Sequence, residues 1–159
     1  MATAFETLIG IFEEDGLRHR VIPDRHLVEA GFRGEAGRYL LHFHVDEGEG
    51  VFQIFVMLPC FIPEGCRLAV AEAICRANFG MKVGNFELDC DDGEVRFHVG
   101  NCFPEGTLDP HVVRRLLGTA LHVADRYLPA LMSVVYGNEL PKDAIEYVEG
   151  AARVVDCSE

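Results

Sequence analysis

The sequence predicts a single α+β domain, with elements in the order α-β-β-β-α-β-β-α and an antiparallel sheet whose helices pack on one face. The apolar period is helical up to Phe12, drops to two from His26 to Pro59, and returns to helical after Pro63. Glycine-rich turns separate the period-two runs, as hairpins require. The 159 residues suit one domain.

Thr3 and Glu6 make a T-x-x-E capping box that opens the first helix. Its apolar stripe is Phe5, Leu8, Ile9 and Phe12, and Gly16 closes it. A short extended piece, LRHRVI, runs to Pro23. Three strands follow, HLVEAGFRGE, RYLLHFHVD and VFQIFVMLP, joined through GEAG and DEGEG. In the second, Tyr39, Leu41, Phe43 and Val45 face one way, and Leu40, His42 and His44 the other. The third is apolar on both faces except at Gln53, which places it centrally in the sheet.

Pro63 and Glu64 open the second helix, since proline's missing N–H costs nothing in a first turn. Val70, Ile74 and Ala77 mark its buried stripe, and Ala69, Ala71 and Ala73 keep it slim; Gly80 ends it. Two more strands alternate Phe86, Leu88 and Cys90 with Glu87 and Asp89, and Val95, Phe97 and Val99 with Glu94, Arg96 and His98. The DDG between them is a hairpin signal, because Asp and Gly accept the positive φ angles of the turn. Glu87 or Asp89 is placed to pair with Arg96 across the strands. A calcium loop of the EF-hand type needs D-x-D-x-D-G and an acid at its twelfth position. Counted from Asp89, glycine falls one place early and the twelfth position is Gly100, so the stretch reads as a turn.

Asp109 is the expected N-cap of the longest helix, with Pro110 at N1. Its stripe is Val113, Leu116, Leu117, Ala120, Ala124, Tyr127, Leu128 and Leu131. Val112, Leu121, Val123, Met132, Val134 and Val135 widen the apolar surface beyond one face, so this helix needs more than one packing partner. Pro129 is expected to kink the helix or to end its first part. Residues 1–137 form the predicted domain; 138–159 supply a short helix over PKDAIEYVEG and a fraying tail.

Composition narrows the function. The net charge is −12, which opposes contact with a phosphate backbone or an anionic membrane surface; neither nucleic acid nor membrane is expected as a partner. The first residues show no basic n-region with an apolar run, so no signal peptide is predicted. The six cysteines (60, 66, 75, 90, 102 and 157) form no CxxC or zinc-finger spacing and read as free thiols of a reducing cytoplasm.

Two clusters could hold metal. His42 and His44 share a strand face, and His98 lies on the polar face of another strand; three converging imidazoles would make a zinc site. Cys60, Cys66, His98 and Cys102 are a second set, at spacings that match no common zinc motif. There is no G-x-S-x-G, P-loop or G-x-G-x-x-G, and no pattern pointing to a cysteine triad, so no catalytic residue is predicted. No cofactor is expected.

The stretches GNFELDCDDGEVRFHV and ADRYLPALMSVVYG resemble the YbjN family of bacterial sensory transduction regulators, over roughly Thr3 to Gly137. The most telling parts are Gly84–Asp89, Gly93–Phe97 and Ala124–Leu131; the six cysteines and His98 depart from the usual pattern. The resemblance implies a fold similar to type III secretion chaperones, which are small acidic proteins that dimerise and bind extended partner segments. It carries over no catalytic residue.

The expected function is therefore a non-enzymatic, regulatory protein-binding module, chaperone-like and homodimeric. Leu40, His42, His44, Val112, Val123, Met132 and Val135 are its expected partner or dimer surface. The alternatives are a metal- or redox-linked protein using the histidines and thiols, and a small-molecule sensor with a pocket beneath the long helix.

Overall fold

The computed structural model describes residues 1–104 and 107–156, with side chains up to residue 150. Of the tail predicted to fray after Gly150, residues 151–156 are helical, while 157–159, with Cys157, lie outside the described residues.

Helix α1 (Ala4–Glu14) starts at the predicted capping box, where Thr3 accepts from the Glu6 amide and Glu6 accepts from the Thr3 amide. Ile11 is buried with Phe5, Leu8 and Phe12, while Ile9 is only half-buried, so the stripe is centred slightly off the predicted one. Strands β1 (Arg20–Ile22), β2 (Leu27–Arg33), β3 (Arg38–Asp46) and β4 (Val51–Phe61) form consecutive antiparallel pairs. The LRHRVI piece thus contributes an edge strand absent from the predicted element order, and the sheet has six strands.

A short 3-10 turn over Glu64–Cys66 precedes α2 (Arg67–Asn78), so Pro63 opens that turn and not the α-helix. Strands β5 (Asn85–Leu88) and β6 (Glu94–Cys102) form the second hairpin. The order across the sheet is β1-β2-β3-β4-β6-β5, with β4 central as its two apolar faces predict.

Helix α3 (Pro110–Tyr136) is capped by Asp109, whose carboxylate accepts from the His111 amide. Its 27 residues span ~40 Å. Pro129 does not end it. That residue lies on the exposed side, where the Asp125 carbonyl that loses its donor can turn to solvent. Helix α4 (Pro141–Asp156) is longer than predicted and buries Ala144 and Ile145 against α2 and α3. Tyr127 donates to Glu149 at 3.0 Å and Arg126 donates to the Val148 carbonyl at 3.0 Å, fastening α4 to α3. Burial and the Glu149 carboxylate push the Tyr127 hydroxyl pKa up to about 12.

All four helices contribute to one core on one face of the sheet. Phe12 meets Phe43 edge-on at 4.9 Å, and Phe86 packs between Phe97 and Tyr127. Among the described residues no helix packs on the opposite face.

Candidate functional site

Alternation along each strand sends every second side chain to the open face, and strand register assembles them into rows. One row reads Arg20, Glu29, His42, Phe55, His98, Asn85 from β1 to β5. The row nearer the β2–β3 turn reads Gly31, Leu40, Met57, Arg96, Glu87, and the row on the other side reads Leu27, His44, Gln53, Gly100. Leu40 is 47% exposed, a large value for leucine inside a strand.

Phe55 organises the centre. The His98 ring stacks on it at 4.6 Å, the Arg96 guanidinium lies 4.4 Å over it, and His44 meets it edge-on at 5.8 Å. Glu87 takes Arg96 at 2.6 Å and Nδ1–H of His98 at 3.1 Å, while the Gln53 amide donates to Nε2 of His98 at 3.0 Å. Burial pushes the Glu87 carboxyl up, but Arg96, His98 and Asn85 together hold it below the usual carboxylate range. His44 is held below the usual histidine value by burial first, then by His42, Arg25 and Arg96. Nε2 of His42 is buried without a hydrogen-bond partner among the described residues; Glu29 lies 3.4 Å away.

Leu40, His42 and His44 therefore share one surface, and His98 joins them. Val112, Val123, Met132 and Val135 lie on α3, beyond the sheet; the last three are half-buried against the core. The expected partner surface is thus divided between two sides of the molecule. The histidines do not converge: His42 and His44 are 6.4 Å apart, and Phe55 stands between His42 and His98 in their row. Cys60 and Cys66 sit near the sheet end opposite Cys102. Among the described residues no three His, Cys, Asp or Glu side chains are grouped to hold a metal ion.

The acidic stretch Asp89–Glu94 is a turn, and it spends two of its four carboxylates on its own amides. Asp89 accepts from the Asp91 amide and Asp92 from the Glu94 amide, both at 2.8 Å. Arg67 of α2 donates to the carbonyls of Cys90 and Asp91, and the Ile62 amide donates to the Gly93 carbonyl. Gly93 has φ +87, and a Cβ there would run into the Ile62 backbone.

A broad cleft of about 730 Å³ lies between α3 and the β2–β3 turn, beside Arg33, His122 and Pro129. Of the two acids that line it, Glu35 and Asp125, the latter is already engaged by the turn: it accepts from the amides of Glu35 and Ala36 at 2.8 and 2.9 Å and from the Tyr39 hydroxyl at 2.7 Å. Sequence reading missed Phe55 and Met57 as members of the open face, while it placed Arg96 there opposite Glu87. The two-sided apolarity of VFQIFVMLP was their signal, and it is explained only in part by a central strand.

The model of the YbjN family, described as "Putative bacterial sensory transduction regulator", matches residues 4–133. The chain belongs to the YbjN family. The structure of a YbjN protein described as "a putative transcription regulator from E. coli" matches with TM-score 0.57 and 8% identity, covering 84% of this chain and 90% of that one. A chain of the HopA1-SchA chaperone-effector complex matches with TM-score 0.53 and 14% identity, covering 76% of this chain and 90% of that one. No match was found among curated protein sequences. The predicted fold class holds: YbjN-like, α+β and similar in fold to a chain of a chaperone-effector complex. Membership and fold support a regulatory or binding role. No described helix is long and apolar enough to cross a membrane.

Proposed function

We propose that this chain is a non-enzymatic, chaperone-like protein-binding module that serves regulation in the bacterial cytoplasm and works as a homodimer. The observation that carries the reading is the helix-free sheet face, where Leu40, Phe55 and Met57 lie among histidines and arginines. An antiparallel sheet usually presents a plainly polar face to water, and apolar side chains left there mark a contact surface. The likeness to a chain of a chaperone-effector complex supports a protein as the partner. The net charge of −12 argues against nucleic acid and anionic membrane alike.

Light scattering coupled to size exclusion, with metal content determined on the same tag-free peak, tests the reading. A metal-free dimer is expected. A monomer carrying stoichiometric zinc would overturn it and bring forward the histidines and thiols.

A further inference from the structure

The open face carries a charge pattern that no single chain satisfies. Arg33 and Arg38 are directly opposed on β2 and β3, both exposed, and among the described residues neither forms a salt bridge. Like charges so placed are destabilising. At the same end of the sheet, on the other side of β4, the Asp89 amide donates to the Glu94 carbonyl, which makes these two acids neighbours across β5 and β6. The end row therefore reads two positive charges, then β4, then two negative charges. Shallow depressions accompany both corners, about 420 Å³ beside Arg33 and Arg38 and about 490 Å³ beside Asp89 and Glu94.

We propose that the open face binds a second copy of this chain, through a two-fold axis parallel to β4. The inference rests on the homodimer reading above and adds the interface. Such an axis keeps each row at its own level while exchanging β3 with β6 and β2 with β5 of the other copy. Arg38 then faces Glu94, and Arg33 faces Asp89. Size matches as well as charge. The notch over Gly31, where a Cβ would meet nothing within 4 Å, receives Glu87, and His44 lies over Gly100. Phe55 and Met57 meet their own copies at the axis. An unrelated partner has no reason to match this order row by row; a two-fold copy does so by symmetry. Five strands at ~4.8 Å and four rows at ~6.8 Å give a flat footprint of roughly 650 Å². That approaches the ~800 Å² of accessible surface per partner in a standard interface.

The test is a charge exchange. One variant carries Arg38→Glu and the other Glu94→Lys, the two positions that the axis sets face to face; Asp89 and Asp92 are kept because their carboxylates cap the turn, and Arg33 is kept because it faces Asp89. Each alone places like charges at both corners of the dimer and is expected to raise the dimer dissociation constant at least about 100-fold. Mixed in equal amounts, the two variants are expected to recover a stable dimer, seen by light scattering. Thermal melts check that each variant is folded, and Arg38→Asp with Glu94→Arg repeats the exchange should either fail to fold. A wild-type dimer that survives both substitutions, or variants that separate but do not recover on mixing, would overturn the interface and leave dimerisation standing. A wild-type monomer would overturn the homodimer reading together with it.

Discussion

Asp125 of α3 and Tyr39 of β3, 86 positions apart, share a 2.7 Å hydrogen bond that ties the long helix to the β2–β3 hairpin. The same carboxylate accepts from the amides of Glu35 and Ala36 and so caps the turn. Gly34 is required beside it, since a Cβ there would fall on the carboxylate. Burial alone would push the Asp125 carboxyl up; Tyr39 and the turn amides outweigh that and hold it below its usual value. Burial, then Asp125, drives the Tyr39 hydroxyl well above its own. The ADRYLPAL segment, telling for the family, thus works through Asp125 as a structural clamp.

Asp125→Ala leaves the buried Tyr39 hydroxyl and two turn amides without their acceptor, so a loss of about 2–4 kcal/mol is expected in urea unfolding. Tyr39→Phe is expected to cost about 1 kcal/mol, and the double variant less than the sum, because both singles remove one shared bond.

Gly93→Ala is expected to destabilise by about 1–3 kcal/mol from its positive φ alone, with the clash against Ile62 added to that. Asp91→Ala, at a carboxylate that accepts no hydrogen bond among the described residues, is expected to stay within about 0.5 kcal/mol. Comparing the two unfolding midpoints separates a turn that needs its glycine from one that needs its charge.

His44 has a folded pKa depressed below the unfolded value of ~6.5. Its contribution to stability is therefore full above ~6.5 and is lost as pH falls through the folded pKa. Urea midpoints measured from pH 7.5 down to 5 are expected to decline, and His44→Asn is expected to flatten that decline. An unchanged slope in the variant would remove His44 as the cause.

Ile145→Ala is expected to cost about 2–4 kcal/mol, because Ile145 is buried where α4 packs on α2 and α3. A loss below about 0.5 kcal/mol, measured by thermal melting, would instead make α4 a dispensable appendage.

EDTA, calcium and zinc are expected to leave the melting temperature unchanged. The turn carboxylates of Asp89 and Asp92 are committed to amides, and His98 to Gln53 and Glu87. A stabilisation that saturates with zinc would show that His42 and His44 regroup with a further ligand.

Much of the fold was legible because it is local. The capping box at Thr3 and Glu6, the cap at Asp109 and the strict alternation of RYLLHFHVD each depend on a few neighbouring residues. Even the pairing of Glu87 with Arg96 followed from hairpin register. Prediction fell short where a weak local signal was settled by the element around it. LRHRVI is a strand because β2 offers it a partner edge, and Pro129 is carried within a helix long enough to absorb one missing bond.

By itself, then, the sequence determined most of the elements and the alternation that sends their side chains to one face or the other, and it shows no recognisable catalytic motif. The tertiary structure alone decided that β6 lies between β4 and β5, which sets His98 on Phe55 and puts two acids across β4 from two arginines. Alternation tells a side chain which face it shares but not which strand lies beside it, because strand order depends on pairings between distant segments.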